Sequence, residues 1–441
     1  MAATGIPHGP VAALPGSATP SEQARERWRN RLIEAVLLFG VGYNFVLAVV
    51  NAKVFTVRPA MTYAAEFAVY AACFLIGLWS LDRRRAAMVV GGLGFVVALM
   101  LVRFMVTWQF DPKFLRDALI AFAFLVLGSA YRGSIPKLFL RMALVVALVA
   151  GFELAAPTVY GDVVNPKSYF VNARGASASG FWNEDSNLYV SATRPGARNF
   201  LPSSNLPRAS SFFVEPVTMG NFIIFFAAIV LAFRRRLGLM SQLLAVGLVA
   251  FLVVASDGRL AAGTCVLMLL VAPVFRRLDQ RLAFAVFAAV LLGGWLLVVA
   301  AGIHAYEDTM LGRIFFTVDS VSNLSFAAWM GLDFEAAYRF FDSGIAYFIT
   351  SQSLLGVLGF LIAYSFLMVL PGIEGRLFKH LAIFAFALSL LVSNGYFSIK
   401  TAALWWFVCG CLWQFAPVPQ RGAATAGTST AAAGQVREDS A

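Results

Sequence analysis

The chain has 441 residues, of which 60% are hydrophobic and 13% are charged, and its formal net charge is +11. Its mean hydropathy is +0.77. This composition excludes an ordinary soluble domain and indicates an integral membrane protein. The basic residues lie in short clusters between apolar runs, so the positive charge indicates membrane orientation, and we expect no nucleic-acid partner.

The first segment, residues 1–31, begins with 24 residues rich in Ala, Pro, Gly, Ser and Thr, and we predict a disordered cytoplasmic tail there. About twelve apolar segments follow, each near the 20 residues that a bilayer-spanning helix requires. They lie at roughly 32–51, 61–81, 86–106, 114–130, 137–156, 213–233, 239–255, 260–275, 282–303, 343–370, 378–393 and 400–416. We therefore predict an all-α polytopic membrane protein, with helices 1–5 in 32–156, 6–9 in 213–303 and 10–12 in 343–416, and a second disordered cytoplasmic tail at 417–441.

The basic clusters predict the orientation of these helices. With the N-terminus inside, the basic clusters all become cytoplasmic, as the positive-inside rule expects. They are 83–85, Arg132 with Lys137, 234–236, 276–281, and Arg376 with Lys379. Four basic residues fall outside, against the rule: Lys53, Arg58, Lys113 and Lys400. The two long loops, 157–212 and 304–342, are then periplasmic.

Ionisable residues inside the apolar segments gather at their predicted outer ends. These residues are Glu66, Arg103, Glu153, Glu215, Asp257 and Arg259. Charge at such depth is costly and indicates function by default, although each residue alone has a structural ion pair as its alternative. An ion pathway would need ionisable residues through the middle of the membrane as well, and the sequence shows no such series. Together they predict a polar site facing the outer side.

Glu215 stands where the first long loop enters the sixth span, seven residues after Arg208. Pro216 suits the first turn of a helix, because its missing N–H costs nothing there. The alternative is a plain helix start, with the carboxylate complementing the helix dipole.

The turn between spans seven and eight is only Ser256-Asp257-Gly258-Arg259. Arginine keeps its charge and offers a fork of donors that suits phosphate. The alternative is that Arg259 extends to lipid headgroups as an anchor.

The first long loop contains Trp182, Asn183 and Asn187, residue types that suit sugar binding, although a solvated loop explains most positions equally well. The four cysteines lie in apolar runs and the three histidines are scattered. We therefore expect no metal and no cofactor.

Three motifs occur in one order along the chain. They are Glu-Pro-x-x-x-Gly-Asn at 215–221, Ser-x-x-Arg at 256–259, and Asp-Ser-Gly-x-x-Tyr at 342–347 followed by Gly-x-x-Gly at 356–359. Over roughly residues 195–360 this order resembles the O-antigen ligase and polymerase superfamily, particularly the Wzy-type polymerases of exopolysaccharides, with the xanthan polymerases closest.

The resemblance implies a metal-independent glycosyltransferase with a GT-C-like fold in the bacterial inner membrane. Such enzymes join undecaprenyl-diphosphate-linked oligosaccharide repeat units at the periplasmic face. The partners that the resemblance implies are membrane lipid, a flippase and a polysaccharide co-polymerase. By the match, Arg208 and Arg259 hold the donor diphosphate. Glu215 and Asp342 are the candidate general bases, between which the sequence does not decide. We expect further substrate contacts from Arg103, Arg313, Arg339 and Tyr347.

Two other functions stay open at this point. In the ligases a His-Asn motif lies where this chain has residues 342–347, and the missing histidine favours a polymerase. A transporter, for example a flippase of lipid-linked sugars, would show inverted repeats or broken helices with polar groups at the midplane, and the sequence indicates neither.

Overall fold

A computed structural model describes residues 20–194, 198, 200–202, 204–340 and 342–413. Its regular elements in these ranges are all helical. In chain order the α-helices are α1 Pro20–Lys53, α2 Pro59–Gly77, α3 Arg83–Thr107, α4 Pro112–Ala130, α5 Ile135–Ala155, α6 Pro157–Val164, α7 Pro166–Arg174, α8 Pro216–Phe233, α9 Leu239–Ser256, α10 Arg259–Phe275, α11 Ala283–Ala300, α12 Met310–Ser322, α13 Phe326–Trp329, α14 Ala336–Arg339, α15 Gly344–Ile362, α16 Gly372–Leu390 and α17 Ile399–Trp413.

Eight of the described helices, α1, α2, α3, α5, α8, α9, α11 and α15, are long and apolar enough to cross a membrane. Two further apolar helices, α10 and α17, are shorter. The chain is thus an all-helical polytopic membrane protein, as the sequence predicts. The larger count of twelve spans also needs α4 and α16, each of which has three charged side chains in its first half.

The centre of the bundle is α8, whose apolar side chains are buried on every face. A helix that is apolar all round is stable only when other helices surround it. Beside it, α17 packs along α4 at very short range. A Cβ on Gly128 would lie 2.1 Å from the carbonyl oxygen of Phe407, and one on Gly410 would lie 2.2 Å from that of Leu125. Only glycine permits this backbone approach.

The first long loop and the N-terminal tail are more ordered than we expected. The segment after α5 folds into α6 and α7, which pack against α1. Residues 20–31, assigned to a disordered tail, form the start of α1. Pro20 suits its first turn, Glu22 complements the dipole, and strong helix formers follow. The predicted tails at 1–19 and 417–441 lie outside the described residues.

One membrane helix is broken, contrary to the expectation that none would be. Within α15, Ser353 has φ 65° and ψ 161°, outside the helical region. Gly331, from the second long loop, approaches the backbone of Ser353 at this point. The helix ends in a π-helical turn, Ala363–Leu367. A serine in an apolar run gives no sequence signal for such a break.

Candidate active site

The entry to α8 places Glu215 in a defined pocket. Glu215 is the residue that precedes the helix, in extended conformation, and its side chain does not cap the helix. Its Oε2 accepts hydrogen bonds from Lys400 Nζ at 2.8 Å and from Thr218 Oγ1 at 2.6 Å. The carboxylate is therefore ion-paired, and Lys400 on α17 is a site residue that sequence reasoning missed.

The loop before Glu215 is held by buried hydrogen bonds. Glu153 of α5 is fully buried, and its Oε2 accepts from the backbone N–H groups of Ser210 and Ser211, each at 2.7 Å. Ala209 N–H donates to the carbonyl oxygen of Ala255 at 2.9 Å. Glu153, predicted as a member of the outer polar site, thus has a structural role in fixing the approach to α8.

Two residues of this approach have positive φ, Ser211 at 51° and Val214 at 67°. A β-branched residue in that region is strained, and such strain persists only where the surroundings fix it. The strain lies directly before Glu215, so the position of that carboxylate is imposed by the packing around it.

A network of charged side chains extends from Glu215 to the N-terminal halves of α2 and α4. Arg174 of α7 lies near Glu215 and contacts Glu66 at 3.4 Å. Arg116 bridges Glu66 at 3.3 Å and Asp117 at 2.6 Å. These opposite charges are buried in pairs, which offsets much of the cost of removing them from water.

Tyr347, expected to contact substrate, belongs to this network. Its side chain is only 1% exposed, and its hydroxyl donates to Asp117 Oδ2 at 2.6 Å. Its position indicates a structural contact between α15 and α4. One sequence feature could have indicated this network: Arg116 and Asp117 are adjacent charged residues inside an apolar run.

The second group of charges, which we call the arginine cluster, lies around the turn between α9 and α10. Its members are Arg194, Arg198, Arg208, Arg259, Arg313, Asp257, Asp308 and Asp342. Five guanidinium groups thus face three carboxylates. The excess of positive charge makes the cluster suited to an anionic ligand.

Arg208 is held against the end of α9. Its Nε donates to the carbonyl oxygen of Ser256 at 3.1 Å. Burial lowers the pKa of Arg208 below its ordinary value, and the positive charge of Arg259 lowers it further. The negative charge of Asp257 acts in the opposite direction and raises this pKa. An anion bound here would relieve that repulsion.

Arg198 and Arg259 differ in what they contact. Arg198 is buried and donates to the carbonyl oxygen of Val254 at 2.7 Å, which fixes the loop to the end of α9. Burial also lowers the pKa of Arg198, against the effect of Asp257. Arg259 is exposed at the first position of α10, and its guanidinium makes no hydrogen bond with any described residue. Its donors are free for a ligand.

The second long loop joins the cluster through Asp308. This carboxylate receives hydrogen bonds from Arg194 and, at 3.1 Å, from Arg313. Arg313 also lies 3.4 Å from Asp342. Asp342 has 41% of its side chain exposed, so it faces open space beside the arginines.

A cavity of about 650 Å³ adjoins the cluster. Arg194 and Arg198 belong to both, and the remaining lining is mainly polar, including Asn183, Asn187 and Asn205. The guanidinium of Arg194 lies 5.6 Å over the ring of Trp182, whose ring is mostly exposed. Amides with an exposed aromatic ring are the groups that a sugar-binding site uses.

The structure thus brings together four of the eight predicted site residues: Arg208, Arg259, Arg313 and Asp342. Glu215 and Tyr347 lie in the neighbouring charged network. Arg103 lies apart, between α3 and α15. Arg339 is exposed and contacts Glu335 at 3.4 Å, so nothing links it to the arginine cluster.

No protein-family model, curated protein or solved structure matches this chain. Within the described residues, no group of three or more His, Cys, Asp or Glu side chains could hold a metal ion.

Proposed function

We propose that the chain is a polysaccharide polymerase that joins lipid-diphosphate-linked oligosaccharide repeat units. The observation that supports this most is the arginine cluster, with its excess of positive charge, beside a polar cavity of about 650 Å³. A lipid-linked sugar diphosphate has an anionic diphosphate group and a polar glycan. The cluster fits the first part and the cavity the second.

The reaction places an electron pair on the leaving diphosphate when its bond to the sugar carbon breaks. Fixed guanidinium groups lower the barrier for that step, because they are already oriented toward the developing charge. Arg208 and Arg259 suit this role, since one is fixed by Ser256 and the other has free donors.

The attacking sugar hydroxyl forms the new bond to that carbon and gives up its proton. We propose Asp342 as the general base. It is exposed beside the arginine cluster, and its one described partner is 3.4 Å away. Glu215 is less suitable, because Lys400 and Thr218 both donate to the same oxygen.

We also propose a twelve-span, GT-C-like topology for this enzyme in the bacterial inner membrane. Here α4, α10, α16 and α17 cross the bilayer with the eight longer apolar helices, both termini are cytoplasmic, and the arginine cluster faces the periplasm. We propose a flippase and a polysaccharide co-polymerase of the same pathway as its partners.

A transporter of lipid-linked sugars is the second candidate, and the broken helix α15 is the observation that favours it. Purified protein in vesicles with lipid-linked repeat units separates the two functions. A polymerase produces a ladder of glycans, whereas a flippase moves the repeat unit across the bilayer and leaves its length unchanged. A ligase would produce product only when a lipid A core acceptor is added. Absence of a ladder with active, correctly inserted protein would refute the polymerase.

A further inference from the structure

Arg103 has two buried donors without a partner. The residue is 6% exposed, and its Nη1 donates to the carbonyl oxygen of Ser351 at 2.9 Å. Its Nε and Nη2 have no hydrogen-bond partner among the described residues. These two nitrogens lie along one edge of the guanidinium plane, which is the edge that binds two oxygens of a phosphate at once. Buried donors are rarely left unsatisfied without a reason.

Aromatic rings that contact one another lie against Arg103 and against a second cation, Lys113. The guanidinium lies 4.6 Å from the ring centre of Phe114 and 4.4 Å from that of Phe334. Lys113 Nζ lies 4.8 Å from the ring centre of Tyr347, and neither cation forms an ion pair with a described residue. Asp111 and Asp333 act on Arg103 through space only. The pocket therefore has two cations and no directly bound carboxylate.

The break in α15 supplies the backbone carbonyl that Arg103 binds. At Ser353 the helix stops, which releases the Ser351 carbonyl to Arg103, and then restarts with the Ser353 hydroxyl accepting from Gly356 N–H at 3.2 Å. On α3, Val102 and Met105 are largely exposed beside Arg103. Their apolar surface faces the bilayer, so a ligand with a lipid tail can reach the pocket from the side.

We propose that Arg103 and Lys113 bind the phosphate headgroup of a second lipid, which in the proposed polymerase is the diphosphate-linked acceptor. This assignment rests on the proposed function, since joining two lipid-diphosphate-linked units requires two separate diphosphate sites. The arginine cluster serves the donor. The Arg103 pocket, which uses none of the cluster's residues, serves the acceptor.

Native mass spectrometry of the full-length protein with farnesyl diphosphate tests this proposal. The unaltered protein should bind two molecules. Arg103→Ala and Arg208→Ala should each bind one, with the lost site weakened about ten-fold or more, and the double variant none. Arg103→Lys should bind the second molecule weakly, because it keeps the charge and loses the fork. Arg141→Ala, which removes an exposed arginine paired with Glu34, should still bind two.

A single binding site in the unaltered protein, or two equal sites in Arg103→Ala, would overturn the proposal. So would displacement of the Arg103-dependent molecule by phosphatidylglycerol or by inorganic phosphate, which would indicate an ordinary membrane-lipid site or a free-anion site. If Arg103→Ala fails to fold, Lys113→Met provides the same comparison. A glycan ladder that persists unchanged in Arg103→Ala would refute the acceptor site alone, whereas no ladder from the unaltered protein would refute the polymerase.

Discussion

Arg259 differs from the other arginines of the cluster because its donors are free. Replacing it by lysine keeps the charge and removes the planar fork, so we expect roughly a 10²-fold loss of polymerisation rate with normal membrane insertion. Arg208→Ala should show a similar loss. The measurement is ladder formation in vesicles, with Arg339→Lys as a control that keeps its rate. Normal rates from Arg259→Ala would make that residue a headgroup anchor only.

Asp342 and Glu215 have different surroundings, which predict different effects of removing their charge. Asp342→Asn should lose about 10²–10⁴-fold in rate while still binding the donor, because a general base acts on the proton and not on the diphosphate. Glu215→Gln should lose less rate and more stability, because it leaves Lys400 without its ion pair. Single-turnover rates and thermal stability of both variants check this. The opposite ranking of rates would assign the base to Glu215.

The sequence predicted which residues are charged at the outer ends of the helices, and it could not predict how they pair. Lys400 drew notice only as an exception to the positive-inside rule, and the structure places it against Glu215, far away in the chain. Arg174 gave no signal, because it lies in a polar loop segment. Pairing depends on the packing of distant helices, which local hydropathy does not encode.

At the scale of elements, Asp308 ties the first long loop to α12 through Arg194 and Arg313. Burial alone would raise the pKa of Asp308, but these hydrogen bonds outweigh it and hold the pKa below its ordinary value of about 3.9. The ionised Asp308 therefore holds Arg194 and Arg313 fully above about pH 3.9, and this stabilisation is lost as the pH falls through the lowered pKa.

We therefore expect hydrogen exchange of residues 190–194, corrected for intrinsic rates, to stay constant from neutral pH down to about pH 4 and to rise below it. Asp308→Asn should raise exchange there from neutral pH down to about pH 4, because the ionised partner is missing, and should match the unaltered protein at pH values where Asp308 is itself protonated. Glu335→Gln, which alters only the exposed pair with Arg339, is the control. Equal exchange in Asp308→Asn and the unaltered protein would show that this tie does not hold the loop.

The contact between α4 and α17 predicts an effect of a single methyl group. In Gly128→Ala the new Cβ would lie 2.1 Å from the carbonyl oxygen of Phe407, so the helices must separate. We expect a loss of about 1–3 kcal/mol in stability, measured as a lower melting temperature in detergent. Gly91→Ala, where nothing lies within 4 Å of the added atom, should melt like the unaltered protein. Equal melting of the two variants would contradict this packing.

At the scale of the whole molecule, the orientation in the membrane is the prediction on which the mechanism depends. Reporter fusions after Arg84, Arg235 and Arg376 should indicate the cytoplasm, because those residues belong to the basic clusters. Fusions at Ser186 and Asp333 should indicate the periplasm. A cytoplasmic signal at Ser186 would place the cavity and the arginine cluster in the wrong compartment for a lipid-linked donor.

Long apolar runs identified the main helices because a membrane span must form its backbone hydrogen bonds within itself and present apolar side chains to lipid. Both requirements are met by residues close together in the sequence. The break at Ser353 could not be predicted from the sequence, because its causes are not local. It depends on Gly331 and Arg103, which approach from other parts of the chain, and the residues around it are ordinary for a membrane helix.

The pairing of Glu215 with Lys400 also has a consequence for the order in which the protein is made. The ribosome releases α8 long before α17, so Glu215 has no ion pair with Lys400 until nearly the whole chain has been synthesised. Chains that stop before α17 keep an unpaired carboxylate at the membrane boundary and leave the α4 glycine surface uncovered. The last described helix therefore completes both this ion pair and the packing of α4.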